Sequence, residues 1–246
     1  LLILLTLISL ISAVRFVRTG RFNFLYLCMF FSALAFTHHL TFIFTFAGIV
    51  AFILFSKPYL FKKPLVFLNC FLVFAFVFWS LALYLLIRAN LNPVTNWGNP
   101  STPGALIYHI TGRQFASFVG ETKPSLSYLT GLLWKNFNIT VIFMVFGLWH
   151  VIKNKLNLFI LTLVSTALIF YFVIAYIIEG SDINFLPFIP FGIMLSAIGF
   201  YALSGKIRPF APVIFMAAGI LQAFLYFGEN NMRGDYQTKD YLNNLT

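Results

Sequence analysis

The side chains best suited to chemistry in this chain fall into four clusters. His38 and His39 sit in "FTHHLT", and Arg88 stands in "LLIRAN". Residues 92–115, "PVTNWGNPSTPGALIYHITGRQF" after Asn92, carry Asn96, Trp97, Gly98, His109, Arg113 and Gln114, while Asp182 lies in "EGSDINFLPFIP". An arginine offers a planar fork of donors that matches a phosphate, so Arg88 and Arg113 suit an anionic group. The two adjacent histidines point about 100° apart on a helix and cannot both ligate one metal ion without a turn. An imidazole near hydrocarbon is costly and by default faces a cavity or a partner, although headgroups can also solvate a pair at an interfacial turn. Trp97 reads either as an interfacial anchor or as an aromatic wall for a sugar ring. Asp182 reads either as a helix cap or as a holder of a metal ion or substrate hydroxyl.

The surroundings of these clusters are very apolar. Of the 246 residues 61% are hydrophobic and 9% charged, with a mean hydropathy of +0.92, whereas soluble domains carry roughly 25% charged residues. The fold class expected is therefore an all-α integral membrane protein, a polytopic helical bundle. Apolar runs at roughly 1–14, 22–37, 40–56, 64–87, 137–152, 157–178, 187–203 and 209–227 give about eight candidate spans. They do not alternate as the strands of a membrane barrel would. Cys28 and Cys70 lie inside such runs and read as small packing residues. The 33 Phe read as lipid-facing and inter-helix packing.

The net charge of +10 forms no basic stripe with interleaved aromatics, so nucleic acid is not an expected partner. It reads instead as topology. Strict alternation puts Arg15, Arg18, Arg21, Lys57, Lys62, Lys63, Lys153, Lys155, Lys206 and Arg208 on one side, the cytoplasmic one by the positive-inside rule. The other side receives the remaining six basic residues and all six acidic ones. Every polar cluster named above then emerges on that non-cytoplasmic face. No nucleotide-binding Gly-rich loop, CxxC pair or HExxH occurs, which removes cytosolic ATP chemistry and zinc hydrolysis.

Between the fourth and fifth runs, residues 88–136 read as a long non-cytoplasmic loop rich in Pro and Gly. Loops of that length are usually functional or disordered, and Trp97, Ile107, Tyr108, Phe115, Phe118 and Trp134 argue against disorder. "TPGALIYHITGRQFASFV" is expected to form a short amphipathic helix starting near Thr102 or Pro103. On one continuous helix His109 and Arg113 would be i and i+4 neighbours on a shared side, placed to hold a phosphate. The chain starts inside an apolar run without Met, which reads as a piece of a longer protein.

The order "THH…YLLIRANLNPVTNWGNPSTPGALIYHITGRQF…DINFLPFIP…GDYQTKDYLNNL" resembles a family of polytopic membrane proteins long grouped as a domain of unknown function. That family is now linked to the vertebrate O-mannosyltransferase of plexin and receptor-kinase ectodomains, within the GT-C glycosyltransferases. The likeness runs over roughly 22–246 and is most specific from Asn96-Trp97-Gly98 to Gly112-Arg113-Gln114-Phe115. Thr37 stands where Asn is common, and Phe115-Ala116 stand where many members have Tyr-Gly. The resemblance implies that 1–227 is a GT-C-like membrane domain and 228–246 the start of a linker to a soluble domain. It carries a substrate-binding role onto His38, His39, Arg88, Asn96, Trp97, Gly98, His109, Arg113, Gln114 and Asp182, and it leaves the catalytic carboxylate unassigned, expected upstream of Leu1.

The activity so implied is transfer of a sugar, mannose or similar, from a polyprenyl-phosphate donor to a protein or glycan acceptor hydroxyl. It would take place at the non-cytoplasmic face of a bacterial inner membrane or the endoplasmic reticulum, with membrane lipid as the other partner. No cofactor is required by the residues, and a divalent cation could assist through carboxylates. The rival expectation is a transporter or lipid-linked-sugar flippase, whose signature would be charges within the spans and paired broken helices. A non-enzymatic scaffold would have no reason to gather its polar clusters on one face.

Overall fold

The computed structural model describes residues 1–94, 96–118, 126–176 and 181–225. The described residues form helices joined by turns and loops, without strands. Their order is α1 (Leu2–Thr19), α2 (Phe22–His38), α3 (Phe42–Ser56), α4 (Pro64–Asn90), α5 (Pro103–Ile110), α6 (Leu126–Phe137), α7 (Thr140–Asn154), α8 (Leu156–Ala175), α9 (Ile189–Leu203) and α10 (Ala211–Leu225). Four 3₁₀ turns, Pro58–Lys62, Arg113–Phe118, Ser181–Phe188 and Gly205–Phe210, join them. Among the described residues, four helical segments are long and apolar enough to cross a membrane, and a fifth crossing forms if the sharply bent pair α6–α7 counts as one. The helices α2, α3 and α10 are apolar but shorter.

The breaks follow backbone chemistry. A residue before proline is driven out of the helical region, and Lys57 (φ −135, ψ 63) and Lys63 (φ −124, ψ 71) end one helix and precede the next for this reason. The α6–α7 corner turns through 102° at Asn138, whose φ of 48° is a left-handed conformation that asparagine tolerates better than most residues. The sequence reading placed 126–136 in a loop; here those residues form α6. Its Leu129, Leu132 and Phe137 are buried, so an apolar face recurring at helical spacing outweighs the Pro-rich approach to it.

Two compact units are present, Leu1–Gly199 and Phe200–Thr246. In the first, α1, α2, α3, α8 and the Ser181–Phe188 turn share a core in which Phe16, Phe42, Ile49, Leu161, Ile169, Phe185, Phe188 and Phe191 are fully buried. Small residues let helix backbones meet, as membrane packing favours. A Cβ on Gly48 would collide with Ser165 of α8, and one on Gly147 or Gly199 would collide with backbone oxygen of the opposite helix, Leu195 or Phe143 respectively. Hydroxyls within the spans bond their own helix, for example Ser9 to the Leu5 carbonyl (2.9 Å), Ser80 to Phe76 (2.6 Å) and Thr162 to Leu158 (2.8 Å). In the second unit Phe200 and Phe215 pack with ring centroids 6.1 Å apart.

The first unit has two chemically different ends. Arg15 lies over the Phe24 ring (5.6 Å) and Lys63 over Phe22 (5.2 Å), while Arg18 of α1, Phe52 of α3 and Lys155 before α8 line one cavity. These contacts gather Arg15 and Arg18 of α1, Lys63 before α4 and Lys155 of the α7–α8 corner at one end. At the other end the start of α3 meets the end of α8 through Phe44 and Phe172 (5.1 Å), and the Ser181–Phe188 turn joins them through Phe170 and Phe185 (6.1 Å). The α2–α3 turn belongs to that second end, and the reversal after α5 meets it, where a Cβ on Gly112 would lie 2.9 Å from Leu40.

Candidate functional site

Two asparagines fasten the segment after α4 to the helix that precedes it. Asn90 Nδ2 donates to the Ser101 carbonyl (3.0 Å) as well as to Leu86 (2.8 Å). Asn96 Nδ2 donates to the Ala89 carbonyl (3.3 Å) and to Asn99 Oδ1 (2.9 Å). The Ala89 carbonyl, near the C-terminal end of α4, thus accepts from the Asn92 N–H (3.2 Å) and from a side chain of the loop. The loop folds back sharply because Asn92 (φ 48), Gly98 (φ 68) and Asn99 (φ 38) all take left-handed conformations. Trp97 is left at its tip, 70% exposed, and Arg88 is exposed in the last turn of α4.

The short amphipathic helix anticipated near Thr102 is α5. Thr102 Oγ1 accepts from the Ala105 N–H (3.2 Å) and Pro103 occupies the first turn, a start that needs no other capping. Leu106 is buried, while Ile107 and Tyr108 are exposed on the opposite side. The His109 ring rests on Gly98, where an added Cβ would lie 2.5 Å from Nδ1. Gly98→Ala should therefore combine about 1 kcal/mol of left-handed strain with displacement of the imidazole. Labelling of His109 by diethyl pyrocarbonate, read by peptide mass spectrometry, is expected to rise severalfold, and unchanged labelling would show that the ring is held elsewhere.

One expectation is corrected. His109 and Arg113 do not share a helical face, because α5 stops at Ile110 and Gly112 is left-handed (φ 66). The Gly112 N–H then bonds the His109 carbonyl (3.1 Å) and a 3₁₀ turn begins at Arg113, a helix ending in which a left-handed glycine reverses the chain. Arg113 is exposed and Gln114 half-buried. The Oε1 of Gln114 and the Nδ1 of His109 are buried without a hydrogen-bond partner. Such groups are few in native proteins.

The same turn brings the histidine pair to the site. A Cβ on Gly112 would lie 2.9 Å from Leu40 Cδ2, so the reversal after α5 presses on the α2–α3 connection. There His39 Nδ1 lies 2.7 Å from Thr41 Oγ1 and accepts weakly from the Thr41 N–H (3.4 Å). A ring nitrogen that accepts from a backbone N–H is unprotonated, which places the proton on Nε2. Burial, and secondarily the neighbouring His38, lower the His39 pKa. His39 is thus a neutral donor at neutral pH rather than a cation. His38 ends α2 and is exposed.

Asp182 lies in the Ser181–Phe188 turn, but its side chain, like those of the other five acidic residues, falls outside the described residues. The tail from Gly228 lies outside them as well. Among the described residues no three His, Cys, Asp or Glu converge to hold a metal ion. The sequence reading missed Asn90, Asn99, Ser101, Leu40 and Thr41. Asparagine density in "ANLNPVTNWGN" was the available signal for the first two, since asparagine both takes left-handed turns and bonds backbone. Nothing local marks Leu40. Compared with known protein families, with curated proteins and with solved structures, the chain gives no match in any of the three.

Proposed function

We propose that the end of the bundle formed by residues 38–41 and 88–114 is the donor-binding surface of a membrane glycosyltransferase of GT-C type. The observation that carries this reading is the contact of Gly112 with Leu40, which puts two polar segments about seventy residues apart in sequence on one surface where apolar helices stop. A polyprenyl-phosphate sugar has matching parts. Arg88 and Arg113 suit its phosphate, exposed Trp97 suits a sugar face, and the neutral His39 and the unpartnered polar atoms of His109 and Gln114 suit hydroxyls. In this reading the shorter helices α2, α3 and α10 also cross, giving the eight-span arrangement, and the site faces the periplasm or the endoplasmic reticulum lumen.

The reaction is substitution at the anomeric carbon. The bond from that carbon to the phosphate oxygen breaks, the bond to the acceptor oxygen forms, and the acceptor proton passes to a carboxylate. The lipid phosphate leaves with an added negative charge, which an arginine at that oxygen stabilises more in the transition state than in the ground state.

One feature favours a second reading. The 102° bend between α6 and α7 is the kind of broken helix that transporters place in pairs at the bilayer midplane. A flippase would move the donor intact, whereas a transferase cleaves it. The full-length protein reconstituted in liposomes with sugar-labelled polyprenyl-phosphate mannose distinguishes them. Label appearing on an acceptor glycan or peptide, with polyprenyl phosphate released, supports the transferase. Label crossing the bilayer uncleaved, or no change at all, overturns it.

A further inference from the structure

At the opposite, basic end a cavity of about 310 Å³ is lined by Arg18 and Val14 and Val17 of α1, Phe52 of α3, and the α7–α8 corner from Asn154 to Leu158. We propose that it binds the phosphodiester headgroup of an anionic membrane phospholipid, with the glycerol and upper acyl carbons against its apolar wall.

Three features of the cavity point to that ligand. Its lining is divided: Val14, Val17, Phe52 and Leu158 are apolar, whereas Arg18, Lys155, Asn154 and Asn157 supply two cations and two amides. A phosphodiester joined to hydrocarbon has the same division, and basic pockets between membrane helices on the positive side are where such headgroups bind. Arg18 and Lys155 are both exposed. Asn154 is oriented by its own Nδ2, which donates to the His150 carbonyl (3.0 Å).

The third feature separates a lipid from a free phosphate. Arg18 stands at the end of a stripe on α1 made by Leu4, Leu7, Ile11 and Val14, spaced at helical intervals, and Leu4, Leu7 and Ile11 are exposed large hydrophobics. In a bilayer that stripe faces acyl chains, so the cavity opens where a lipid already lies. A soluble anion would gain nothing from Val14, Val17 or Phe52. The cations are confined to the last turn of α1 and to the corner residue before α8, the depth at which headgroups sit.

The test uses the full chain in nanodiscs of equimolar phosphatidylglycerol and phosphatidylcholine, extracted into detergent and examined by native mass spectrometry. The wild type is expected to retain phosphatidylglycerol about tenfold more than phosphatidylcholine. Arg18→Gln with Lys155→Gln should remove that preference, while Arg21→Gln with Lys62→Gln, an equal loss of charge at exposed residues outside the cavity, should keep it. Equal retention of the two lipids by the wild type overturns the proposal without reference to any variant. So does loss of preference in the control pair, which would show a general surface charge effect. Inorganic phosphate that displaces phosphatidylglycerol at millimolar concentration would identify a free-anion site and overturn the lipid assignment.

Discussion

Gly199→Ala is expected to destabilise the first unit by about 3 kcal/mol, at the upper end of what overpacking usually costs. The new Cβ would meet the Phe143 carbonyl and the Gly147 amide. Both are backbone atoms of a helix, so no side chain can rotate away and α7 must move off α9. That movement also strips packing from Gly147, whose own Cβ position is occupied by the Leu195 carbonyl. Gly131→Ala is the matched control: it lies within α6 with nothing within 4 Å of the added carbon, and in a helix interior alanine is favoured by up to about 1 kcal/mol. Thermal unfolding in one detergent should show Gly199→Ala many degrees below the wild type and Gly131→Ala at or above it. Equal melting temperatures for all three would mean that α7 and α9 do not touch backbone to backbone.

Arg113→Ala is expected to lower sugar transfer about hundredfold, the loss typical when one donor to a developing oxyanion is removed. Arg113 is exposed and starts the turn that Gly112 presses against Leu40, so its truncation removes no core contact and should leave the melting temperature within a degree or so. Arg113→Lys keeps the charge but not the fork, and should recover only part of the rate. Single-turnover release of polyprenyl phosphate is the measurement to use, because it isolates bond cleavage from donor loading. Unchanged release from the alanine variant would remove Arg113 from the phosphate site and leave Arg88 as the remaining cation there.

Much of the fold was legible because membrane helices are written in composition. Proline after Lys57 and Lys63, and glycine after Thr19, mark ends that the backbone must obey whatever the tertiary structure. The start of α5 was legible for the same reason, from Thr102 and Pro103. Its end was not. Gly112 could sit inside a helix or terminate one, and Leu40, against which the reversal lies, is remote in sequence and carries no polar signal. α6 was hidden by a different ambiguity, since Leu126, Leu129, Leu132 and Leu133 repeat at helical spacing but follow a proline and two charges that read as loop. Of the site, residue types were legible and partnerships were not: the hydrogen bonds of Asn90 and Asn96 run to backbone carbonyls, which every sequence has.

The length of α4 bears on where the site sits. At 27 residues it is about 40 Å long, against roughly 30 Å of hydrocarbon, and only Val77, Ala82 and Ala89 along it are buried. Phe74 and Phe78 along it pack on Phe36 of α2, and the excess is accommodated by tilting or by projecting its tip. The segment that Asn90 and Asn96 suspend from that tip travels with it, so the thickness of the host bilayer sets the height of Trp97 and Arg88 above the lipid surface.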